Sequence, residues 1–219
     1  MAEIQAQGLL FDMDGVLVSS IASAERCWQI WAKHYGMPNW STFKIPHGVR
    51  AMDLVKQFAP NEDPVEALKF IEDLEVNDVE GIDVLPGARA LLESLPLDRW
   101  TIVTSASTRL MEARVKAANL PLPKSCITAD MVQKGKPDPE PYRKGAELLG
   151  FAPEHCIVVE DAPSGIQAGH AAGARVLGVV SSHTAEQVAQ SGADWVVASL
   201  ESAKLLSSEG GLRLSVTTV

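Results

Sequence analysis

The chain has little cysteine. Cys27, Cys126 and Cys156 are the only three in 219 residues, and an odd, widely spaced set suits neither a disulfide framework nor a zinc site. Positive charge is also scarce. Nineteen Lys and Arg against 28 Asp and Glu leave a formal net charge of −9; no Lys/Arg run offsets it, which argues against a nucleic-acid partner. Long hydrophobic runs are missing as well. Apolar residues make up 46% of the chain, yet no stretch approaches the roughly 18 uninterrupted apolar positions of a membrane span. Residues 1–7 lack the basic and apolar pattern of a cleavable signal, and no internal repeat or low-complexity segment stands out. The expectation is a reduced, cytoplasmic protein with no membrane or nucleic-acid partner. Its length accommodates one large domain, or a core with a smaller insertion. If so acidic a protein binds phosphate, it needs local positive charge or a metal.

What is present centres on Gly8 to Leu17, an apolar run broken by Asp12 and Asp14. Leu9 to Met13 predicts a buried parallel strand, with side chains alternating between faces. Period two puts Asp12 and Asp14 on one face near the strand's C-terminal end, where ligands bind open α/β sheets. Crowded carboxylates need a cation, a shared proton or a function to compensate them; the alternative is ordinary turn chemistry at Asp14-Gly15.

After Val18 the period becomes helical. Ile21, Ala24, Trp28, Trp31 and Tyr35 form one stripe, capped by Ser19 or Ser20 and ended by Gly36. A second helix runs from Val49 to Phe58 with Met52, Val55 and Phe58 inward. A third starts at Asp63-Pro64 and carries Leu68, Ile71 and Leu74 or Glu75. Residues 18–81 therefore read as a helical cap inserted into a core made of 1–17 and 82–219. A short helix is expected over Ala88 to Leu95. Beyond it, strands at 100–104, 126–128, 156–159, 175–179 and 194–197 alternate with helices near 107–118, 139–149, 163–172, 184–191 and 199–206. That is an α/β fold with right-handed crossovers around a parallel sheet. Gly150 and Gly173 close two helices, and Thr184 and Gln187 are spaced for a capping box. The tail after Glu209 reads as an edge hairpin or a frayed end.

Three more predicted strand ends carry chemistry. Ile102 to Thr108 leads hydroxyl residues into a helix. Ser105, with the Ala106 amide beside it, suits a phosphate oxygen; Thr104 is the second choice, and simple helix capping is the alternative. In Lys134 to Tyr142, Pro137 and Pro139 stiffen a loop and Asp138 caps the helix that follows. Lys136 is thus held where its ammonium can neutralise a phosphoryl group, whereas Lys134 reads as solvated. Cys156 to Gly165 brings Glu160 and Asp161 to the edge that carries Asp12 and Asp14, a hard-oxygen site suited to Mg²⁺. Within the insertion, Pro46 to Asp53 is the stretch expected to face the site. Gly48 lets backbone approach a ligand, and His47 and Arg50 either contact that ligand or lie on the surface of a turn.

These four stretches, in this order and with a helical insertion after the first strand, resemble the haloacid dehalogenase-like superfamily over almost the whole chain. Asp12-Met13-Asp14-Gly15-Val16 matches its first motif, Ser105 its second, Lys136 its third and Glu160-Asp161 its fourth. The resemblance implies a Rossmann-like core and a mobile cap, with hinges expected near Val18 and Gly81. It implies Asp12 as nucleophile forming an aspartyl-phosphate, and Asp14 as general acid and base. It also implies Mg²⁺ on Asp12, the Asp14 backbone carbonyl and Asp161, phosphoryl oxygens on Lys136 and Ser105, and Glu160 orienting Lys136 or a metal-bound water. Haloalkanoate dehalogenases need no second acid/base Asp, so the presence of Asp14 favours phosphoryl transfer. His47-Gly48-x-Arg50, with the strings around Lys136 and Glu160, resembles the glycerol-phosphate and 2-deoxysugar-phosphate phosphatases. The implied activity is Mg²⁺-dependent hydrolysis of a small sugar or polyol phosphate by a monomer. A phosphomutase of the β-phosphoglucomutase type and a catalytically idle α/β binding module are the alternatives.

Overall fold

The computed structural model describes residues 1–219. In chain order the strands are β1 (Ala2–Ala6), β2 (Gly8–Phe11), β3 (Val18–Ser19), β4 (Asp83–Val84), β5 (Trp100–Ile102), β6 (Cys156–Glu160), β7 (Arg175–Val179), β8 (Trp195–Val197), β9 (Ala203–Ser207) and β10 (Leu212–Val216). The helices are α1 (Ile21–His34), α2 (Ala51–Phe58), α3 (Pro64–Asn77), α4 (Ala88–Ser94), α5 (Thr108–Ala117), α6 (Glu140–Leu149), α7 (Pro163–Ala172) and α8 (Ala185–Gln190). No helix is long and apolar enough to cross a membrane.

The main sheet has the order β5-β2-β6-β7-β8, and all its neighbours run parallel. This is the α/β, Rossmann-like architecture read from the alternation. Side-chain period two divides each strand between two layers. Leu9, Phe11, Ile157 and Val159 enter the larger core on one face, while Leu10, Cys156 and Val158 join Tyr142, Ile166 and Val188 on the other. Such two-sided burial explains why β2 and β6 are continuous apolar runs. Because the strands are parallel, their C-terminal ends lie along one edge, where Asp12, Thr104, Glu160 and Ser181 emerge.

Local chemistry sets the element ends. Asp63 caps α3 by accepting from Val65 N at 2.8 Å and Glu66 N, with Pro64 in the first turn. Gly150 and Gly173 adopt the left-handed conformation that closes α6 and α7, and Thr184 and Gln187 form a reciprocal capping box on α8.

Helices α1 to α3 lie between β3 and β4, which pair antiparallel through Val18 with Val84 and Ser19 with Asp83. They pack around a core of their own that includes Trp28, Trp31, Leu54, Val55 and Ile71. Trp31 Nε1 donates to Ala67 O at 2.9 Å, which pins α1 to α3. Leu54, rather than Met52 or Phe58, is the fully buried partner of Val55 on α2.

The structure corrects several element assignments. Residues 126–128 form no strand; Ile127 makes only an isolated bridge to Val103. The helix expected over 199–206 is instead a single 3-10 turn, Leu200–Ser202, followed by β9. Leu200, Ala203 and Leu206 fit helical spacing, but Ala203 and Leu205 turn inward with period two, and the strand pairing satisfies their backbone. The tail is a hairpin whose second strand lies inside its sheet, not at an edge: β10 sits between β9 and β1. Strand β1 carried no sequence signal that set it apart. Ser20 stands at the start of α1 but makes no side-chain cap bond.

Candidate active site

Asp12 follows β2 directly, and its amide donates to Val159 O at 2.9 Å. Its side chain is buried. Oδ1 accepts from Lys136 Nζ at 2.7 Å, and the same ammonium donates to Glu160 Oε1 at 2.7 Å and Val103 O at 3.2 Å. Three donors thus meet three acceptors. Burial on its own would lower the Lys136 pKa, but Asp12 and Glu160 outweigh it and hold the pKa above the ordinary lysine value. Burial pushes the Asp12 pKa well up against the pull of Lys136.

Glu160 is fully engaged. Oε1 also accepts from the Tyr142 hydroxyl at 2.8 Å, and Oε2 accepts from Asp161 N and Ala162 N at 2.9 and 3.0 Å. Gly165 makes room for it, since a Cβ there would lie 1.6 Å from Oε1. Asp161 Oδ2 accepts from Ser181 Oγ at 3.0 Å and from Ser182 Oγ. Burial, reinforced by the Glu160 charge, raises the Asp161 pKa to about 7. Gly15, at φ +83°, passes so close that a Cβ would sit 2.1 Å from Asp161 Oδ2.

Oxygens of Asp12, Glu160 and Asp161 lie within 4.8 Å of one another. An all-carboxylate donor set fits a hard cation. Both Glu160 oxygens are spent on hydrogen-bond donors, so Asp12 and Asp161 are the side chains left to hold one. The Asp14 carboxylate lies outside the cluster. Its Oδ2 meets Arg114 Nη1 at 2.8 Å, and its buried Oδ1 has no hydrogen-bond partner.

Arg114 was not singled out from sequence, and Glu75 was read only as a candidate position on the apolar stripe of α3. Arg114 is buried on α5, and its Nη2 donates to Glu75 Oε1 of α3 at 3.0 Å. Burial raises the Glu75 pKa to about 7, against the pull of Arg114. A signal was present: Arg114 shares the buried stripe of Leu110, Met111 and Val115, and a charge on such a stripe requires a partner. Ser181 and Ser182 also stand just past a strand end, β7, at the same sheet edge.

The insertion closes over these groups. Ser105 Oγ donates to Gly48 O at 2.8 Å, and the Ala106 amide donates to Thr104 Oγ1 at 3.1 Å. Both groups expected to bind phosphate are thus occupied in this arrangement. At φ +79°, Gly48 lets the insertion's backbone fit against Ala162 and Ser164, which a Cβ would meet at 3.1 and 2.8 Å. Arg50 donates to Asp53 at 2.9 and 3.1 Å and to the carbonyls of Val132 and Gln133 at 3.1 and 3.0 Å. Its guanidinium fastens the insertion to the Lys136 loop. His47 accepts from Ser164 Oγ through its carbonyl, and burial lowers its ring pKa. His47, Gly48 and Arg50 still line a cavity of about 280 Å³ that also meets Asp12, Asp14, Ser105, Ala106 and Asp161. Lys134 is exposed and only distantly paired with Asp138, at 3.9 Å.

A family model described as haloacid dehalogenase-like hydrolase matches residues 9–179. The chain is 42% identical to hexitol phosphatase A of Escherichia coli, an alignment covering 80% of this chain and 84% of that one. It is 34% identical to 2-deoxyglucose-6-phosphate phosphatase 1 of Saccharomyces cerevisiae, covering 99% and 97% of the two chains. Among solved structures, a hydrolase from Pseudomonas syringae matches with a TM-score of 0.78 at 25% identity, covering 87% of this chain and 92% of that one.

Proposed function

Since the chain belongs to the haloacid dehalogenase-like hydrolase family, we propose that it hydrolyses a small sugar or polyol phosphate, with Asp12 as nucleophile and Mg²⁺ as cofactor. It is a phosphoric monoester hydrolase of that family, and its phosphatase relatives support a small phosphorylated metabolite as substrate. The observation that carries the mechanism is the different settings of two neighbouring acids. Asp12 is held by Lys136, while Asp14 is held by Arg114 with one oxygen free. Carboxylates in distinct environments take distinct roles.

Lys136 fixes Asp12 Oδ1 and leaves the other oxygen to attack phosphorus. The Asp12–phosphorus bond forms as the ester bond breaks, and Asp14 gives the leaving alkoxide a proton through its free oxygen. Asp14 then takes a proton from the water that attacks the aspartyl-phosphate, and inorganic phosphate leaves. Lys136 also offsets charge on the phosphoryl oxygens, and the Ser105 hydroxyl joins it when a phosphate takes the place of Gly48 O. Glu160 positions Lys136. Asp12 and Asp161, with the Asp14 backbone carbonyl, would hold Mg²⁺, which would supply positive charge for an anionic carboxylate to approach an anionic phosphate.

The test is release of p-nitrophenol from p-nitrophenyl phosphate with Mg²⁺, and its loss with EDTA. No release would favour a binding module. A phosphomutase would use the same strand-end groups but return the phosphoryl group to a sugar. β-Glucose 1-phosphate with trace bisphosphate is expected to give inorganic phosphate; glucose 6-phosphate would identify a mutase.

A further inference from the structure

We propose that the cavity wall built by α3, with Glu72 and Glu75, selects a substrate whose tail is neutral and polyhydroxylated and rejects one that carries a second anionic group. The inference rests on the phosphatase reading and narrows it.

Glu72 and Glu75 are one helical turn apart on α3, and both line the cavity. Glu75 is bound to Arg114, and Glu72 accepts from the Ser107 hydroxyl at the start of α5. A second phosphate or carboxylate would need a cation with donors to spare, and the cations nearby are committed. Both terminal nitrogens of Arg114 are taken by Asp14 and Glu75. Arg50 is taken by Asp53 and two carbonyls, and Lys136 by Asp12 and Glu160. Arg109 pairs with Glu72 and Asp73 and does not line the cavity.

What the wall does offer is carboxylate acceptors and one unpartnered donor, the buried Nε of Arg114. A hydroxyl both donates and accepts, so it can answer both kinds of group. A phosphate or carboxylate only accepts, and it would face the carboxylate oxygens of Glu72 and Glu75 with no uncommitted cation beside them. Trp28, Leu54 and Leu68 line the same cavity and suit a carbon chain. The wall thus has no seat for the distal phosphate that a bisphosphate-handling mutase must hold.

The experiment compares kcat/KM for glucitol 6-phosphate and 6-phosphogluconate, which share a carbon count and differ in a terminal CH₂OH or carboxylate. The native enzyme is expected to favour the hexitol phosphate by on the order of 100-fold, the scale expected when like charges are juxtaposed. Glu72→Gln and Glu75→Gln should each shrink that ratio about tenfold, and Glu72→Lys should shrink it further. A native ratio near one, or a ratio unmoved by all three substitutions, overturns the inference. Turnover of p-nitrophenyl phosphate separates the two levels, since its absence is a failure of the phosphatase reading. The wall is then decided by calorimetry on Asp12→Asn: weaker binding of 6-phosphogluconate supports it, and equal affinities overturn it.

Discussion

Arg114 grips one oxygen of Asp14 at 2.8 Å and leaves the other, buried, with no partner. The arginine comes from α5, and its second terminal nitrogen reaches Glu75 on α3. The carboxylate proposed to move the protons is therefore oriented by a residue that also contacts the insertion. Arg114→Gln should lower kcat by about 10- to 100-fold, within the range that general acid–base catalysis contributes. KM should change less, and Arg114→Lys should restore part of the rate. Steady-state kinetics with p-nitrophenyl phosphate check this; an equal fall in kcat for Gln and Lys, or an unchanged kcat in Arg114→Gln, would count against it.

Lys136 neutralises two buried carboxylates at once. Lys136→Met should destabilise the fold by about 3–5 kcal/mol, because it leaves Asp12 and Glu160 buried without their cation. Urea unfolding measures the loss. The same variant should lack phosphatase activity under conditions where it remains folded.

Metal binding should depend on pH through Asp161. Its folded-state pKa of about 7 stands above the ordinary 3.8. Between those values the folded protein holds a proton that the unfolded chain has lost, so metal-free stability falls as pH rises through that window. Glu75, also raised to about 7 from 4.5, adds a slope of the same sign. Mg²⁺ needs the deprotonated carboxylate, so its stabilising effect should grow between about pH 6 and pH 8. Thermal melts with and without Mg²⁺ test this, and Asp161→Asn should remove the Mg²⁺ effect.

Much of this site was legible because each strand-end group interrupts an apolar run. Asp12 after β2 and Glu160 and Asp161 at the end of β6 are local signals that parallel strands bring to one edge, and Lys136 is marked by Pro137 and Pro139 just after it. Arg114 was harder to read, since its partners lie far away in sequence and only its place on an apolar stripe marks it. The bond from Ser105 to Gly48 depends on how the insertion closes, which local periodicity does not specify. Strand β1 was missed and β9 was read as a helix for a related reason, while β10 was read as part of an edge hairpin or a frayed end. Their sheet pairs the two ends of the chain, and Leu200, Ala203 and Leu206 fit a helix until the partner strand is seen.

The central claim is that Asp12 becomes covalently phosphorylated. Quenching the enzyme during turnover of p-nitrophenyl phosphate with Mg²⁺, reducing it with borohydride and reading the peptide by mass spectrometry tests this directly. An aspartyl-phosphate reduced at its acyl carbon becomes homoserine, and homoserine at position 12 is the expected result. Phosphate release with Asp12 never modified, or with full turnover retained in Asp12→Asn, would contradict the account.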